Sequence, residues 1–243
     1  KGSKANYQSA AGWKNFKHIV EISDDEAYNG MCFTEKTVEG VDLTYMVTDV
    51  GKKECELIAS PVDVKGKVTI PSSANGFTVH SIGDKVFYSY NNNRALTEVI
   101  ISNSITKIGK GTFSGCSKIE NIKIPKSVES ISSGILNGCV NLQSITVEEG
   151  NPFYDSRNGC NAIYVKATNK LLAGCMNTVI PEETDTIGYY AFYGHSGLKE
   201  IKLPENLKII EGYAFMSTGI STITIPESVD SIGAGAFRDC PNL

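Results

Sequence analysis

One short phrase recurs along this chain at a nearly fixed interval. Residues 225–237 read IPESVDSIGAGAF, 203–215 read LPENLKIIEGYAF and 180–192 read IPEETDTIGYYAF. Looser versions stand at 124–136 (IPKSVESISSGIL) and 101–113 (ISNSITKIGKGTF), and an earlier one, with a longer link after Pro71, spans 67–87. The units 96–118, 119–141 and 220–242 are each 23 residues long, and 198–219 is one residue shorter. Self-similarity at such a period marks an architecture of stacked repeats rather than one globule.

The apolar positions explain why stacking is required. Each unit opens with two apolar residues spaced by two, such as Val99/Ile101, Ile122/Ile124, Ile201/Leu203 and Ile223/Ile225, which places both on one face of a strand. Five of the eight prolines follow at once (Pro71, Pro125, Pro181, Pro204, Pro226), where a residue without an N–H ends the strand. Apolar residues come three and six positions later (Ile105/Ile108, Val128/Ile131, Leu207/Ile210, Val229/Ile232). Gly83, Gly109, Gly188 and Gly233 are expected to be left-handed corners. A short helical or turn segment then sends Phe87, Phe113, Phe192, Phe215 or Phe237 inward, with Leu136 replacing the aromatic once. One unit buries about five apolar side chains at roughly 1.5–3 kcal/mol each, against about 1–2 kcal/mol of backbone entropy per ordered residue. Only stacked copies sharing their apolar faces make a stable sum, so the chain reads as a solenoid.

The remaining composition excludes several classes. A net charge of −4 with no basic cluster argues against nucleic acid and anionic membrane surfaces. No apolar run approaches the ~20 residues of a membrane span. The seven cysteines form no CxxC pattern. Cys116, Cys139 and Cys240 share one repeat position and read as buried thiols in a packing ladder. His195 occupies the same slot and reads as partly buried filler. There is no HExxH, GxSxG or GxGxxG, and IGKGTFSG (108–115) lacks the GxxxxGK[ST] of a phosphate loop. The three acids in ISDDEAYNG (22–30) lack calcium-loop spacing and read as a linker. No catalytic, metal or cofactor-binding residue is assigned.

The consensus LxxIxIPxSVxxIGxxAFxGCxx closely resembles the BspA-like class of bacterial leucine-rich repeats, over about residues 65–243. The resemblance implies a right-handed leucine-rich-repeat solenoid. A parallel β-sheet of short strands would form one face, with turns and short helical segments on the other. It also implies a secreted or cell-surface protein engaged in adhesion, whose partner is a host extracellular protein or glycan. Residues 1–22 are similar to the helical tail that closes a preceding array, and 23–64 hold a linker and a hairpin, GVDLTYMVTDVGKKECELI (40–58), that would cap the first coil. The chain thus reads as the junction of two arrays in a longer parent, with any targeting segment outside it.

In the strand segments, residues between core positions point outward and form the candidate binding face. One column is Thr69, Ile100, Lys123, Thr146, Val179, Lys202 and Thr224; the next includes Glu98, Asn121 and Glu200, with Lys67, Ser144, Asn177 and Thr222. Two readings stay open: a face that binds a partner, and a passive spacer with a merely soluble surface. Tyr88, Tyr90 and the NNNR loop at 91–94 form a second candidate patch. The pattern breaks at 148–177, where NAIYV (161–165) and KLLAG (170–174) read as a hairpin. Pairing Val165 with Lys170 sets Cys160 opposite Cys175, a candidate disulfide in the oxidising compartment that the resemblance implies; a one-residue slip would leave two separate thiols. Tyr154, Asp155, Arg157 and Asn158 are either structural or a polar ligand loop.

Overall fold

The computed structural model describes residues 29–90 and 95–243. The expected helical tail at 1–22 and the NNNR loop lie outside these residues. Among the described residues the regular structure is β, with two single 3₁₀ turns at Arg157–Gly159 and Lys166–Thr168. Of the helical or turn segments expected on the far side of each coil, the described residues form hydrogen-bonded turns.

The described chain opens with β1 (Cys32–Lys36), β2 (Asp42–Asp49) and β3 (Glu54–Ala59), an antiparallel meander. Leu43, Tyr45 and Val47 alternate with exposed or half-exposed neighbours along β2, which turns one face of the meander onto the core. Phe33 stacks on Tyr45 with ring centroids 5.4 Å apart. The first coil follows as β4 (Lys65–Ile70), β5 (Ser73–Ala74) and β6 (Phe77–Ile82). β3 pairs parallel with β6, so the hairpin extends the edge of the coil stack and covers its first core residues.

Each later coil repeats two strand positions. The first position gives β7 (Ala95–Ile101), β9 (Asn121–Ile124) and β11 (Ser144–Val147); the second gives two-residue strands, β8 (Lys107–Ile108) and β10 (Ser130–Ile131). The irregular coil contributes β12 (Tyr154–Asp155), β13 (Ala162–Val165) and β14 (Lys170–Gly174), and the last three coils β15 (Thr186–Ile187), β16 (Ile209–Ile210) and β17 (Ser231–Ile232). The sheets differ from the expected single parallel sheet. At the first position β4 pairs with β7 and β9 with β11, all parallel, and among the described residues no strand continues the row beyond β11. In the later coils the segment before each proline is short, lacks the proline N–H, and makes few bonds between coils, such as Ser221 N–H to Lys199 O at 3.1 Å. Longer ladders run through the second position, as β3-β6-β8-β10 and β14-β15-β16-β17.

A third ladder runs through the turns. The N–H groups of Lys85, Phe87 and Ser89 bond to the carbonyls of Lys110, Thr112 and Ser114 one coil on, and those of Phe192 and Phe215 to Ala214 and Ala236. Phe87, Phe113, Phe192 and Phe215 are fully buried. Their rings stack in line: Phe87 on Phe113 at 5.6 Å, Phe192 on Phe215 at 5.0 Å and Phe215 on Phe237 at 5.3 Å. The core has two buried clusters that meet at β13, where Ile163 belongs to one and Ala162 and Tyr164 to the other.

Two details of the coil depart from the sequence reading. The corner glycines are not left-handed; the left-handed residue lies two positions later, at Lys85, Gly111, Gly134, Tyr190, Tyr213 and Gly235. The corner glycines serve close approach. A Cβ on Gly109 would stand 2.5 Å from the carbonyl carbon of Gly83, and one on Gly233 2.3 Å from the nitrogen of Gly212. Second, the irregular coil enters the turn ladder only at Gly174, whose N–H bonds to Ala191 O at 2.9 Å, and does not extend beyond it on the turn face. Gly138 N–H bonds to Tyr193 O at 2.9 Å, so coil 119–141 rests there directly on coil 175–197.

Candidate interaction surfaces

The outward residues of the first strand row fall into separate patches. Register sets Lys67 beside Glu98, Thr69 beside Ile100, and Lys123 beside Thr146. Glu98, Ile100, Asn121, Lys123 and Thr146 border one open groove of about 540 Å³. Glu200, Lys202 and Thr224 border a second, of about 520 Å³. Val179, 71% exposed, sits apart from both in a cleft of about 240 Å³ with Asn158 and Glu182. Thr69 is taken by the cap: Glu39 accepts from its N–H at 3.0 Å and its hydroxyl at 2.6 Å. Desolvation raises the Glu39 pKa, but these Thr69 bonds outweigh it and hold the carboxyl below its usual value.

Ion pairs between coils cross this face. Lys123 meets Glu148 at 3.0 Å and Lys202 meets Glu182 at 3.4 Å. The Lys126 N–H and then Lys123 keep the Glu148 carboxyl below its usual range. Such exposed pairs stabilise by only about 0–1 kcal/mol, so their effect is to pattern charge across the groove rather than to hold the coils.

The irregular coil is engaged with the body of the protein. Asn151 is buried; its Nδ2 donates to the carbonyls of Pro125 and Val128, and its Oδ1 accepts from the N–H groups of Phe153 and Tyr154. The Tyr154 hydroxyl accepts the Ile131 N–H at 2.9 Å, and burial raises the phenol pKa. Arg157 pairs with Asp155 at 3.0 Å, donates to Asn169 Oδ1 and lies 5.0 Å over the Tyr164 ring. Three of the four residues weighed as a ligand loop thus have partners in the fold, and Asn158 is exposed.

Of the two readings left open for Cys160 and Cys175, a disulfide or two separate thiols, the structure has the separate thiols. Val165 does pair with Lys170, but a bulge between Ile163 and Tyr164 shifts the register, pairing Ala162 with Gly174. The thiols are free and fall in different core clusters. Burial pushes Cys160 up to about 11 and raises Cys175, so both are neutral and poor nucleophiles. In the repeat ladder, Cys116, Cys139 and Cys240 donate to the carbonyls of Phe87, Phe113 and Phe215 at 3.1, 3.2 and 3.1 Å. His195, in the same slot, is 1% exposed, and its Nδ1 has no hydrogen-bond partner. Burial lowers its pKa to about 4. Among the described residues no group of three or more His, Cys, Asp or Glu is placed to hold a metal ion.

The turn face carries a surface that the sequence reading mostly missed. Because coil 119–141 abuts coil 175–197 there, Lys85, Tyr88 and Lys110 share one open pocket of about 360 Å³ with Tyr190, Tyr193 and Tyr213. Tyr190 stacks on Tyr213 at 5.4 Å and meets Tyr193 edge-on at 5.5 Å, while Tyr189 stands edge-on to both stacked rings. Lys85 Nζ lies 5.6 Å over the Tyr88 ring. Tyr88 belongs to the sequence-based second patch, and its neighbour Tyr90 is 86% exposed. The signal for the others was present: tyrosine stands at 190 and 213 where 111, 134 and 235 carry glycine.

Coils of this length, closed by a proline after the strand and stacked through an inward phenylalanine ladder, define a solenoid of the leucine-rich-repeat class. The chain belongs to the BspA-type leucine-rich repeat family, whose model matches six copies across residues 66–158 and 169–243. It is similar in fold to a leucine-rich cell surface protein from Faecalibacterium prausnitzii A2-165, with 23% identity, a TM-score of 0.52 and coverage of 87% of this chain and 53% of that one. It also resembles the leucine-rich repeat protein TpLRR of T. pallidum, with 22% identity, a TM-score of 0.54 and coverage of 86% and 91%. The chain thus spans about half the length of the F. prausnitzii protein. No curated protein matches the sequence significantly.

Proposed function

We propose that this chain is a non-catalytic interaction module of a bacterial surface or secreted protein, and that it adheres to a host extracellular protein or glycan through its outward strand face. The carrying observation is that Glu98, Ile100, Asn121, Lys123 and Thr146, from three successive coils, converge on one open groove on that face. Ile100 is 38% exposed there, an apolar contact ringed by polar groups, as in a protein-binding surface. The description of the F. prausnitzii relative as a cell surface protein is in keeping with a surface location. Immobilised chain should retain host matrix proteins or mucins saturably, and Ile100→Ser with Lys123→Ser should reduce retention by at least fivefold. A passive spacer predicts equal and negligible retention by both proteins, and that result would overturn the proposal.

A further inference from the structure

The turn face holds a second site. Lys85, Tyr190 and Tyr213 all have left-handed backbones, with φ of 57°, 62° and 55°, and the same slot holds glycine at 111, 134 and 235. A side chain larger than glycine is strained in that conformation, and such outliers cluster where a surface is used. All three residues border the same pocket. The corner itself does not require a side chain, since the three sister coils close it with glycine.

The chemistry of the lining selects a ligand class. Stacked, partly exposed tyrosine rings present flat apolar faces and phenol hydroxyls, a combination that suits the C–H face and hydroxyls of a pyranose ring. Among the described residues, no hydrogen bond engages the hydroxyls of Tyr193 or Tyr213. Among the described residues, the charged groups that line the pocket are Lys85 and Lys110, on adjacent coils, in a chain whose net charge is −4. Asp84, beside Lys85, engages its carboxylate with the Lys110 N–H at 2.6 Å. The volume of about 360 Å³ falls at the small end of the range for ligand pockets, roughly 300–1,000 Å³. We infer that the pocket formed by Lys85, Tyr88, Lys110, Tyr190, Tyr193 and Tyr213 binds a short oligosaccharide bearing a carboxylate. Its sugar ring lies on the tyrosines and its acid faces the two lysines. This inference rests on the interaction-module reading and gives it a second face and a ligand class.

The test uses calorimetric titration of the full chain with 3′-sialyllactose, digalacturonic acid and neutral lactose. At least one acidic sugar should bind ten times more tightly than lactose, and which one it is separates a sialylated source from a uronic-acid source. Tyr190→Gly with Tyr213→Gly should lose at least tenfold for every sugar. Lys85→Gly with Lys110→Ser should erase the preference for the acid while leaving lactose binding within twofold. Every replacement is a residue that a sister coil carries at the same slot, and melting curves check that each variant folds. If no sugar binds, or if both variants bind like the parent, the inference is overturned. If host proteins are still retained in a manner sensitive to Ile100 and Lys123, the module reading survives that failure.

Discussion

The buried ring at position 195 makes a quantitative prediction about acid stability. His195 is 1% exposed, its Nδ1 has no partner, and burial depresses its pKa to about 4. In the unfolded chain the same imidazole titrates near 6.5. Between these values the unfolded state holds the proton and the folded state does not, so stability falls as pH falls. The stabilisation is fully present above about pH 6.5 and is lost at up to about 1.4 kcal/mol per pH unit down to about pH 4. At pH 4.5 the accumulated loss is about 2.5 kcal/mol, a large share of the 5–15 kcal/mol of a typical folded protein. Carboxylates with lowered pKa values, such as Glu39, Asp49 and Glu148, also lose stabilisation on acidification, at the low end of the same range. The contrast must therefore be differential. His195→Cys places in the slot the residue that Cys116, Cys139 and Cys240 provide elsewhere, and leaves the carboxylates alone. Urea unfolding of both proteins from pH 7.5 to 4.5 should show the parent losing about 2.5 kcal/mol more than the variant. Parallel losses across the whole range would refute the claim that a neutral, unpartnered imidazole is locked in the core.

Two further outcomes follow from the packing. Gly233→Ala would place a Cβ 2.3 Å from the Gly212 nitrogen, so the coils must part; thermal unfolding should show a loss of about 1–3 kcal/mol or more, whereas the exposed Val62→Ala should stay within about 0.5 kcal/mol. Thiol titration of the protein unfolded without reductant should count all seven cysteines, with only the exposed Cys32 and the partly exposed Cys240 reacting readily in the native state; a count of five would mean that one disulfide is present and would contradict the free thiols.

The sequence carried the repeat phase because burial imposes it: Val99, Ile122, Phe113 and Phe215 recur where the coil points inward, and all are buried. The hairpin before the first coil was legible for the same reason, through the alternation around Val50 and Gly51. The corner glycines misled because glycine answers two different demands. At 109 and 233 it makes room for the preceding coil, and at 111 and 235 it supplies the positive φ, so residue type alone does not say which. The bulge between Ile163 and Tyr164 was likewise hidden, since one extra residue reverses which side of a strand a cysteine faces. The turn-face pocket depends on residues far apart in sequence, Lys85 and Tyr213 among them, and on the contact between Gly138 and Tyr193 that bypasses the irregular coil. Period-based reasoning treats every coil as stacked on the next, so it cannot see that bypass.

The account therefore depends most on the turn ladder remaining continuous across the irregular coil. Native-state hydrogen exchange at the Gly138 amide measures this directly. The structure predicts that Gly138, donating to Tyr193 O at 2.9 Å, is protected to the same degree as Phe113 and Phe192 in the flanking coils. Exchange of Gly138 at the rate of an open loop, with Phe113 and Phe192 still protected, would mean that the two halves of the solenoid do not meet on this face, and the shared tyrosine pocket would not exist.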